Sequence, residues 1–217
     1  MTQAFCMDCM DAIHSMPDGA FDLAVCDPPY GIGEGGQKSA FRTGGKWHPR
    51  TYHCYADVCP PPEVFREIFR VSKNQIIFGA NHFISRIPFD ASCWLVWDKQ
   101  NDANDFADCE LAWTSFHSAV RVFRFRWNGM LQGNGKNHQF RIHPNEKPFA
   151  LYRWIFQNYT KPGDKILDPF LGSGASRIAA YDAGLDFTGY EIDSEYFRLQ
   201  QERFTAHAAQ LSLFTQS

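Results

Sequence analysis

The feature that most constrains the fold is a short apolar run, Leu23 to Cys26, which ends at Asp27-Pro28-Pro29-Tyr30. Its length and its residues are typical of a strand that is buried on both faces. The two prolines lack an amide hydrogen and have a fixed φ, so they end the strand and leave nearby carbonyls as unpaired acceptors. The pattern predicts an acid, a carbonyl and an aromatic ring together at the end of a buried strand.

These groups suit the exocyclic amino group of a nucleobase, a poor nucleophile because its lone pair is delocalised into the ring. If Asp27 accepts one N–H and the Pro28 carbonyl accepts the other, the nitrogen can pyramidalise and direct its lone pair at an electrophile. Tyr30 would stack on a base that has left its helix. For this tetrapeptide alone, a simple strand end with Asp27 capping the next turn is the alternative.

A second buried strand, Lys165 to Asp168, runs into a glycine-containing turn that ends at Gly174, and Ala175 to Ala183 is predicted to be the following helix. Glycine lets a ligand approach the backbone, and a helix start offers free amide hydrogens. A further strand ends at Glu191, about 20 residues on, where a nucleoside ribose would offer two hydroxyls. Glu191 is therefore the candidate ribose ligand.

The Asp27-Pro28-Pro29-Tyr30 element and Asp168-Pro169-Phe170-x-Gly172-x-Gly174 together resemble the S-adenosylmethionine-dependent DNA amino-methyltransferases, which modify adenine N6 or cytosine N4. Because the first element precedes the second, the resemblance is to the permuted β group, and above all to small solitary enzymes of bacteria and phages. It implies an α/β, Rossmann-like class I methyltransferase fold, circularly permuted, with a mostly parallel seven-stranded sheet that includes an antiparallel pair. Protein glutamine methyltransferases fit less well, since they begin a similar element with Asn and place the cofactor motif first.

The resemblance also implies roles for individual residues. The catalytic residues would be Asp27, Pro28, Pro29 and Tyr30. The residues implied to bind S-adenosylmethionine are Asp8, Lys147, Asp168, Phe170, Gly172, Ser173, Gly174 and Glu191. Asp8 is also a candidate helix N-cap. Lys147, in the element His143-Pro144-x-x-Lys147-Pro148, is placed near the cofactor carboxylate, with an ordinary basic surface residue as the alternative.

Strand patterns extend this scheme along the chain. Strands are expected around Thr2, Leu23, Ile76, Ile166 and Thr188 in one parallel sheet, and Cys93–Asp98 with Glu110–Phe116 as an antiparallel pair. Since the carboxyl ends of parallel strands share one edge, the ends of these strands should meet in one site. Helices are expected at Cys9–Met16 and Glu63–Ser72.

The 217 residues are expected to form a single methyltransferase domain with a mobile substrate loop (31–62), a target-recognition insertion (121–143) and a C-terminal tail (208–217). The absence of a secretory signal and of a long apolar run predicts a cytoplasmic protein without a membrane partner.

Seven cysteines, an odd number, favour reduced thiols. Cys6-x-x-Cys9 and Cys54-x4-Cys59 lack a clean ligand cluster, so no metal is expected.

The charge is unevenly distributed although its total is only −3. Gln37 to Arg50 contains four basic residues and no acidic one, and Arg121 to Lys147 contains six basic residues and one acidic one. Two basic loops in an acidic chain suggest a cleft that meets phosphates, although ordinary solvated loops are an alternative for the first. The expected DNA-binding residues are Arg121, Arg124, Arg126, Lys136 and Arg141.

The C-terminal tail carries a separate pattern. Gln210-Leu211-Ser212-Leu213-Phe214 resembles the pentapeptide by which bacterial proteins dock on the replicative sliding clamp. As an extended peptide beyond a helix that ends near Phe204 to His207, it would place Leu213 and Phe214 in an apolar pocket, with Gln210 and Leu211 beside them. A helix tail that packs on its own domain is the alternative.

The leading hypothesis is methylation of adenine N6 in duplex DNA, with the target base flipped out. Methylation of cytosine N4 is the nearest rival, although that activity more often goes with Ser at the first position of the catalytic element. A DNA-binding accessory protein that has lost catalysis is a rival of another class, and RNA is an alternative substrate. The oligomeric state is left open.

Overall fold

The computed structural model describes residues 1–33, 39–43, 46–50, 55–101, 107–128, 131–132 and 140–215. Within these ranges the chain forms twelve strands and five α-helices. The strands are β1 (Thr2–Cys6), β2 (Phe21–Cys26), β3 (Ser39–Thr43), β4 (Lys46–Arg50), β5 (Ser72–Phe78), β6 (Trp94–Asp98), β7 (Cys109–Thr114), β8 (Arg121–Arg124), β9 (Trp127–Asn128), β10 (Leu131–Gln132), β11 (Lys165–Asp168) and β12 (Asp186–Glu191). The helices are α1 (Cys9–Ile13), α2 (Pro62–Val71), α3 (Phe149–Tyr159), α4 (Ala175–Asp182) and α5 (Ser194–Thr215).

One large sheet organises the molecule. In the described part of the chain, eight strands pair in the order β1-β12-β11-β2-β5-β7-β6-β8. β7 pairs antiparallel with both β5 and β6, and the other neighbours in this sheet are parallel. The predicted α/β fold, with a mostly parallel sheet and an antiparallel pair, is confirmed. The circular permutation stays a prediction.

The expected number of seven strands was one too few. β8 pairs parallel with β6, which places Arg121 opposite Leu95 and Arg124 opposite Asp98. These arginines were expected in a recognition insertion, but Phe123 packs against the core while Val122 is 44% exposed, as in an edge strand with alternating faces. The segment 121–143, predicted to be a target-recognition insertion, therefore begins with a strand of the central sheet.

The central strand β2 is buried because helices cover both faces of the sheet. Leu23 and Val25 belong to a core with α3 and α4 on one face. Ala24 and Cys26 belong to a core with α1 and α2 on the other. A strand in this position needs apolar residues at consecutive positions, which explains the run that opened the sequence analysis.

The parallel strands bring several polar residues to one edge of the sheet. β1, β2, β11 and β12 run in the same direction, so their carboxyl ends lie together. Asp8 follows β1, Asp27 follows β2, and Asp168 and Glu191 are the last residues of β11 and β12. This carboxyl edge is the place where open α/β sheets bind ligands.

Two segments differ from expectation. The expected mobile loop 31–62 contains the antiparallel hairpin of β3 and β4. The last helix was expected to end near Phe204 to His207, but α5 continues to Thr215 and includes Gln210 to Phe214. Residues 205–211 contain three alanines and neither glycine nor proline, a composition that favours a longer helix.

No helix among the described residues has the length and apolar character required to cross a bilayer.

Candidate active site

A single cavity of about 1840 Å³ lies at the carboxyl edge of the sheet. It is lined by Asp27 to Tyr30 at the end of β2 and by Pro169 to Ser173 after β11. Asp8 and Glu191 line the same cavity. Cavities that hold one small molecule measure about 300 to 1,000 Å³, so this one has room for two adjacent ligands. The structure thus brings the two sequence motifs together although they lie far apart in the chain.

Both described side chains that donate hydrogen bonds to the Asp27 carboxylate bind the same oxygen, Oδ1. Tyr30 donates its hydroxyl hydrogen to Oδ1 at 2.8 Å, and the Lys147 ammonium also donates to Oδ1. Among the described residues, none donates a hydrogen bond to Oδ2. Burial raises the pKa of Asp27 above its ordinary value, while the adjacent Lys147 charge opposes that rise. The site therefore presents a fixed, largely desolvated carboxyl group with one oxygen available as an acceptor.

The ring of Tyr30 is fixed by close packing. It stacks on His82, with ring centroids 5.4 Å apart and planes 18° apart. Gly79, directly after β5, has a φ of +65°, and a Cβ at this position would lie 2.2 Å from the Tyr30 ring. Glycine is required here for both reasons, because its conformation is left-handed and the ring fills the space of a side chain.

Replacing Gly79 by alanine should displace the Tyr30 ring and break its hydrogen bond to Asp27. We expect kcat of the reaction carried out at Asp27 to fall about a hundredfold, the loss typical of a misplacement of about 1 Å at a reacting group. The matched control is Gly184→Ala, since Gly184 has a similar φ of +67° but nothing within 4 Å of its would-be Cβ. Equal losses of kcat in the two variants would show that backbone strain rather than Tyr30 is responsible.

The chain after Tyr30 is held by a residue that the sequence analysis missed. The Asp57 carboxylate accepts hydrogen bonds from the backbone amides of Gly31, Ile32 and Gly33 at 2.9, 2.9 and 2.7 Å. No local pattern identifies Asp57, because it lies 24 residues or more beyond the amides that it binds. It fixes the exit from the Asp27 to Tyr30 element.

Asp27 and Tyr30 line one half of the cavity, and Glu191 is the central residue of the other half. Its Oε2 accepts a hydrogen bond from the Gly172 amide at 2.7 Å and its Oε1 accepts one from the Asp193 amide at 2.8 Å. Burial raises the pKa of Glu191, although these backbone amides oppose the rise. Glu191 thus joins the turn after β11 to the end of β12 while still lining the cavity.

Asp168 and Gly174 shape that turn from behind. Neither is among the described residues that line the cavity, whereas Phe170, Gly172 and Ser173 are. Asp168 is buried and accepts hydrogen bonds from the Ser176 hydroxyl at 2.5 Å and the Phe170 amide at 3.0 Å. Burial raises the pKa of Asp168 to about 7. Both residues therefore support the turn, and the part foreseen for them in cofactor binding stays a prediction.

A comparison with known families decides what kind of protein this is. The DNA methylase family N6_N4_Mtase matches residues 92–202, more than half of the chain. The chain belongs to this DNA methylase family. A relative, the type II methyltransferase M2.MboI of Moraxella bovis, is 23% identical over 234 residues, which cover 91% of this chain and 85% of that protein.

Solved structures show the same fold. The complex of M1.HpyAVI with SAM has a TM-score of 0.60 at 18% identity and covers 94% of this chain and 99% of that chain. The cytosine-N4-specific PvuII DNA methyltransferase has a TM-score of 0.60 at 12% identity and covers 95% of this chain and 90% of that chain. The predicted family and enzyme class, a DNA amino-methyltransferase of the N6 or N4 type, are confirmed, and its cofactor is S-adenosylmethionine.

The residues around the cavity of this DNA methylase fit that cofactor. Asp8, Glu191 and Asp193 line the cavity, and Glu191 is bonded to the turn after β11. Carboxylates accept hydrogen bonds from an adenine amino group and from ribose hydroxyls. Asp8 also accepts a hydrogen bond from the Met10 amide at 2.9 Å as the N-cap of α1, so the two roles foreseen for it are compatible.

Lys147, which the sequence analysis placed near the cofactor carboxylate, lines the cavity and is hydrogen-bonded to the element of Asp27 to Tyr30. Its side chain is 4% exposed and donates hydrogen bonds to Asp27 and, at 3.0 Å, to the Tyr30 hydroxyl. A further carboxylate, Glu110 at the start of β7, lies 3.3 Å from the same ammonium. The sequence analysis did not single out Glu110, which it saw only as a residue of a strand.

The arginines expected to bind DNA fall into two groups. Arg141 lines the cavity, and its guanidinium lies 4.5 Å from the centre of the Trp127 ring. Arg124 and Arg126 are exposed near the carboxyl end of β8. Arg121 lies at the opposite end of β8 and lines a separate cavity with Asp22 and Asn74. Lys136 and Cys54 lie outside the described residues.

Proposed function

We propose that this DNA methylase transfers the methyl group of S-adenosylmethionine to N6 of adenine in duplex DNA. The observation that carries the proposal is the cavity lined by both Asp27, whose Oδ2 accepts no hydrogen bond from the described residues, and the turn of Phe170 to Ser173. A base amino group held at Asp27 would therefore meet a cofactor bound against that turn.

Three residues of the Asp27 to Tyr30 element, Asp27, Pro28 and Tyr30, take a direct part in this reaction. Asp27 Oδ2 and the Pro28 carbonyl accept hydrogen bonds from the two N–H groups of the amino group. The nitrogen can then pyramidalise, so that its lone pair is no longer delocalised into the ring. Tyr30 packs against the base and keeps its plane aligned. S-adenosylmethionine supplies an electrophilic methyl group bound to a positively charged sulfur. Proximity and alignment within the cavity account for most of the acceleration, since well-oriented neighbouring groups gain about 7 to 11 kcal/mol over free reactants.

We propose adenine rather than cytosine because the catalytic element begins with Asp27. The cytosine-N4 enzymes of the family more often have Ser at this position. Cytosine N4 is the alternative, which the fold shared with the cytosine-N4-specific PvuII enzyme also accommodates. The deciding experiment is mass spectrometry of the nucleosides from plasmid DNA incubated with the protein and labelled S-adenosylmethionine. N6-methyladenine is expected, whereas N4-methylcytosine would establish the alternative.

The substrate polymer is tested in the same assay. We propose that Arg124, Arg126, Lys136 and Arg141 contact DNA phosphates or base edges, since the first two are exposed near the edge that carries the cavity and Arg141 lines it. Arg121 is left out because it lies at the opposite edge. Transfer to duplex RNA but not to duplex DNA would contradict the proposed substrate, and no transfer to either would indicate an accessory protein without catalysis.

We also propose a second partner, the bacterial sliding clamp, and a cytoplasmic location, where both partners would meet the enzyme. The support is the resemblance of Gln210 to Phe214 to a clamp-docking peptide. Because α5 continues through these residues, docking as an extended peptide requires its last turns to unwind. Surface plasmon resonance with the whole chain should detect clamp binding that the Leu213→Ala, Phe214→Ala double variant loses, and equal binding by both proteins would contradict the idea.

A further inference from the structure

A line of alternating charges leads from the wall of the cavity to the catalytic carboxylate. Lys99 Nζ lies 2.5 Å from Glu110 Oε1, Glu110 Oε2 lies 3.3 Å from Lys147 Nζ, and Lys147 contacts Asp27 Oδ1. The side chains are 17% exposed for Lys99, 23% for Glu110 and 4% for Lys147. Charges this poorly solvated are retained only where partners compensate for lost water.

The geometry assigns Lys147 to Asp27 and not to the cofactor. Its ammonium donates to Asp27 Oδ1 and to the Tyr30 hydroxyl, which itself donates to the same Oδ1. Two donors on one oxygen fix the rotation of the carboxyl group and leave the other oxygen, Oδ2, without a donor among the described residues. A base amino group can then bind Oδ2 without displacing either donor.

Lys147 also supplies charge where the reaction needs it. Only an ionised carboxylate offers both oxygens as acceptors, and burial favours the protonated form of Asp27. Burial likewise opposes the charge of Lys147, but the carboxylates of Asp27 and Glu110 outweigh it and raise the pKa of the ammonium. Glu110 is itself kept ionised despite its burial, since Lys147 and Lys99 lower its pKa to about 2.

We propose that Lys147 is a positioning residue for methyl transfer, which holds Asp27 ionised and oriented with Oδ2 open to the amino group, and that Glu110 secures Lys147 in this place. This inference rests on the proposed function, because it assumes that Asp27 accepts a hydrogen bond from the target base. It differs from the role that the sequence suggested, a contact with the cofactor carboxylate.

The test begins with a measurement that does not require catalysis. In protein labelled with ¹³C at the aspartate carboxyl carbons, the Asp27 signal is assigned with an Asp27→Asn variant and titrated by NMR. Replacing Lys147 by methionine should raise the titration midpoint of Asp27 by about 1 to 3 pH units, the usual effect of losing an adjacent opposite charge. The other ionisable groups that act on Asp27 are still present in this variant, namely Cys26, Tyr30, Glu110, Tyr152 and Asp168, and Glu110 keeps Lys99 as the cation that lowers its pKa.

The same shift should appear in the reaction. If Asp27 must be ionised, the acid limb of the pH profile of kcat/KM moves upward in Lys147→Met by the shift seen in the titration. Affinity for S-adenosylmethionine, measured by calorimetry, should remain within about threefold of the original, which is less than 1 kcal/mol. Lys147→Arg, which keeps the charge, should leave the acid limb near its original position.

Three outcomes would overturn the inference. They are an unchanged Asp27 titration, an acid limb that does not move with the titration, and a cofactor affinity at least tenfold weaker, which would return Lys147 to the cofactor. If Lys147→Met does not fold, Lys147→Gln provides the same loss of charge with a similar shape. Lys73→Met, which removes a lysine from an exposed ion pair with Asp22, is the control and should change none of these readings. Failure of the unmodified protein to methylate DNA would contradict the proposed function alone, since the titration does not depend on it.

Discussion

Replacing Asp27 by alanine should lower kcat for methyl transfer by about a thousandfold or more, equivalent to about 4 kcal/mol in the activation barrier. The variant loses the acceptor that orients the amino group, and it also leaves Lys147 without its nearest counter-charge. Cofactor affinity should change little, because Asp27 lies at the end of β2 whereas Gly172 and Glu191 belong to the other half of the cavity. Single-turnover transfer of labelled methyl groups to DNA measures the first effect, and calorimetry measures the second.

Asp27→Asn separates the two contributions of this side chain. Asparagine keeps one acceptor oxygen and a similar shape but lacks the charge, so its activity should lie between those of the original protein and the alanine variant. Loss of S-adenosylmethionine binding in either variant would mean that Asp27 belongs to the cofactor site, and the assignment of the two halves of the cavity would then be wrong.

The largest loss of stability is expected from replacing Arg203 by methionine. Arg203 on α5 donates to Glu146 Oε1 at 2.9 Å and to the Ser173 carbonyl at 3.2 Å. The Glu146 side chain has no exposed surface, and its Oε2 accepts the Ile142 amide at 2.9 Å. Removing Arg203 takes a hydrogen-bonded guanidinium away from a buried carboxylate, which keeps its hydrogen bond to the Ile142 amide, so the free energy of unfolding should fall by about 3 kcal/mol.

The same helix supplies a matched control for this prediction. Arg198 is half-exposed and pairs with Glu195 and Glu202, also on α5. Exposed pairs of this kind contribute about 0 to 1 kcal/mol, so Arg198→Met should have almost no effect in urea denaturation. Similar losses in both variants would show that helix propensity, and not the contact with Glu146, sets the stability of this region.

The sequence predicted those parts of the fold that depend on local pattern. Leu23 to Cys26 has the composition of a doubly covered strand, and the parallel arrangement then places Asp27 and Glu191 at one edge without any knowledge of side-chain contacts. β8 is not predicted from the sequence because its basic residues indicate DNA binding more strongly than they indicate a strand. The length of α5 was underestimated because the residues from Gln210 onward were interpreted as a peptide motif, although their neighbours favour helix.

The contacts that arrange the active site could not be found in this way. Lys147 and Asp27 are 120 positions apart, and Arg203 and Glu146 are 57 positions apart. Pairing at such distances depends on how loops cross the finished sheet, and a single sequence contains no periodic signal for it. Asp27 was identifiable because two prolines follow it, whereas the residues that support it come from elements with ordinary patterns.

The hydrogen bonds of Asp57 to the amides of Gly31, Ile32 and Gly33 have an evolutionary consequence. They join the two ends of the segment between Gly33 and Asp57, which is more than 20 residues long. The position of Tyr30 therefore does not depend on the length of this segment. Doubling the length of such a segment costs only about 0.6 kcal/mol of closure entropy. Insertions and deletions between Gly33 and Asp57 can therefore accumulate in evolution and change which DNA sequence is recognised. The placement of the catalytic element, Asp27 to Tyr30, is preserved.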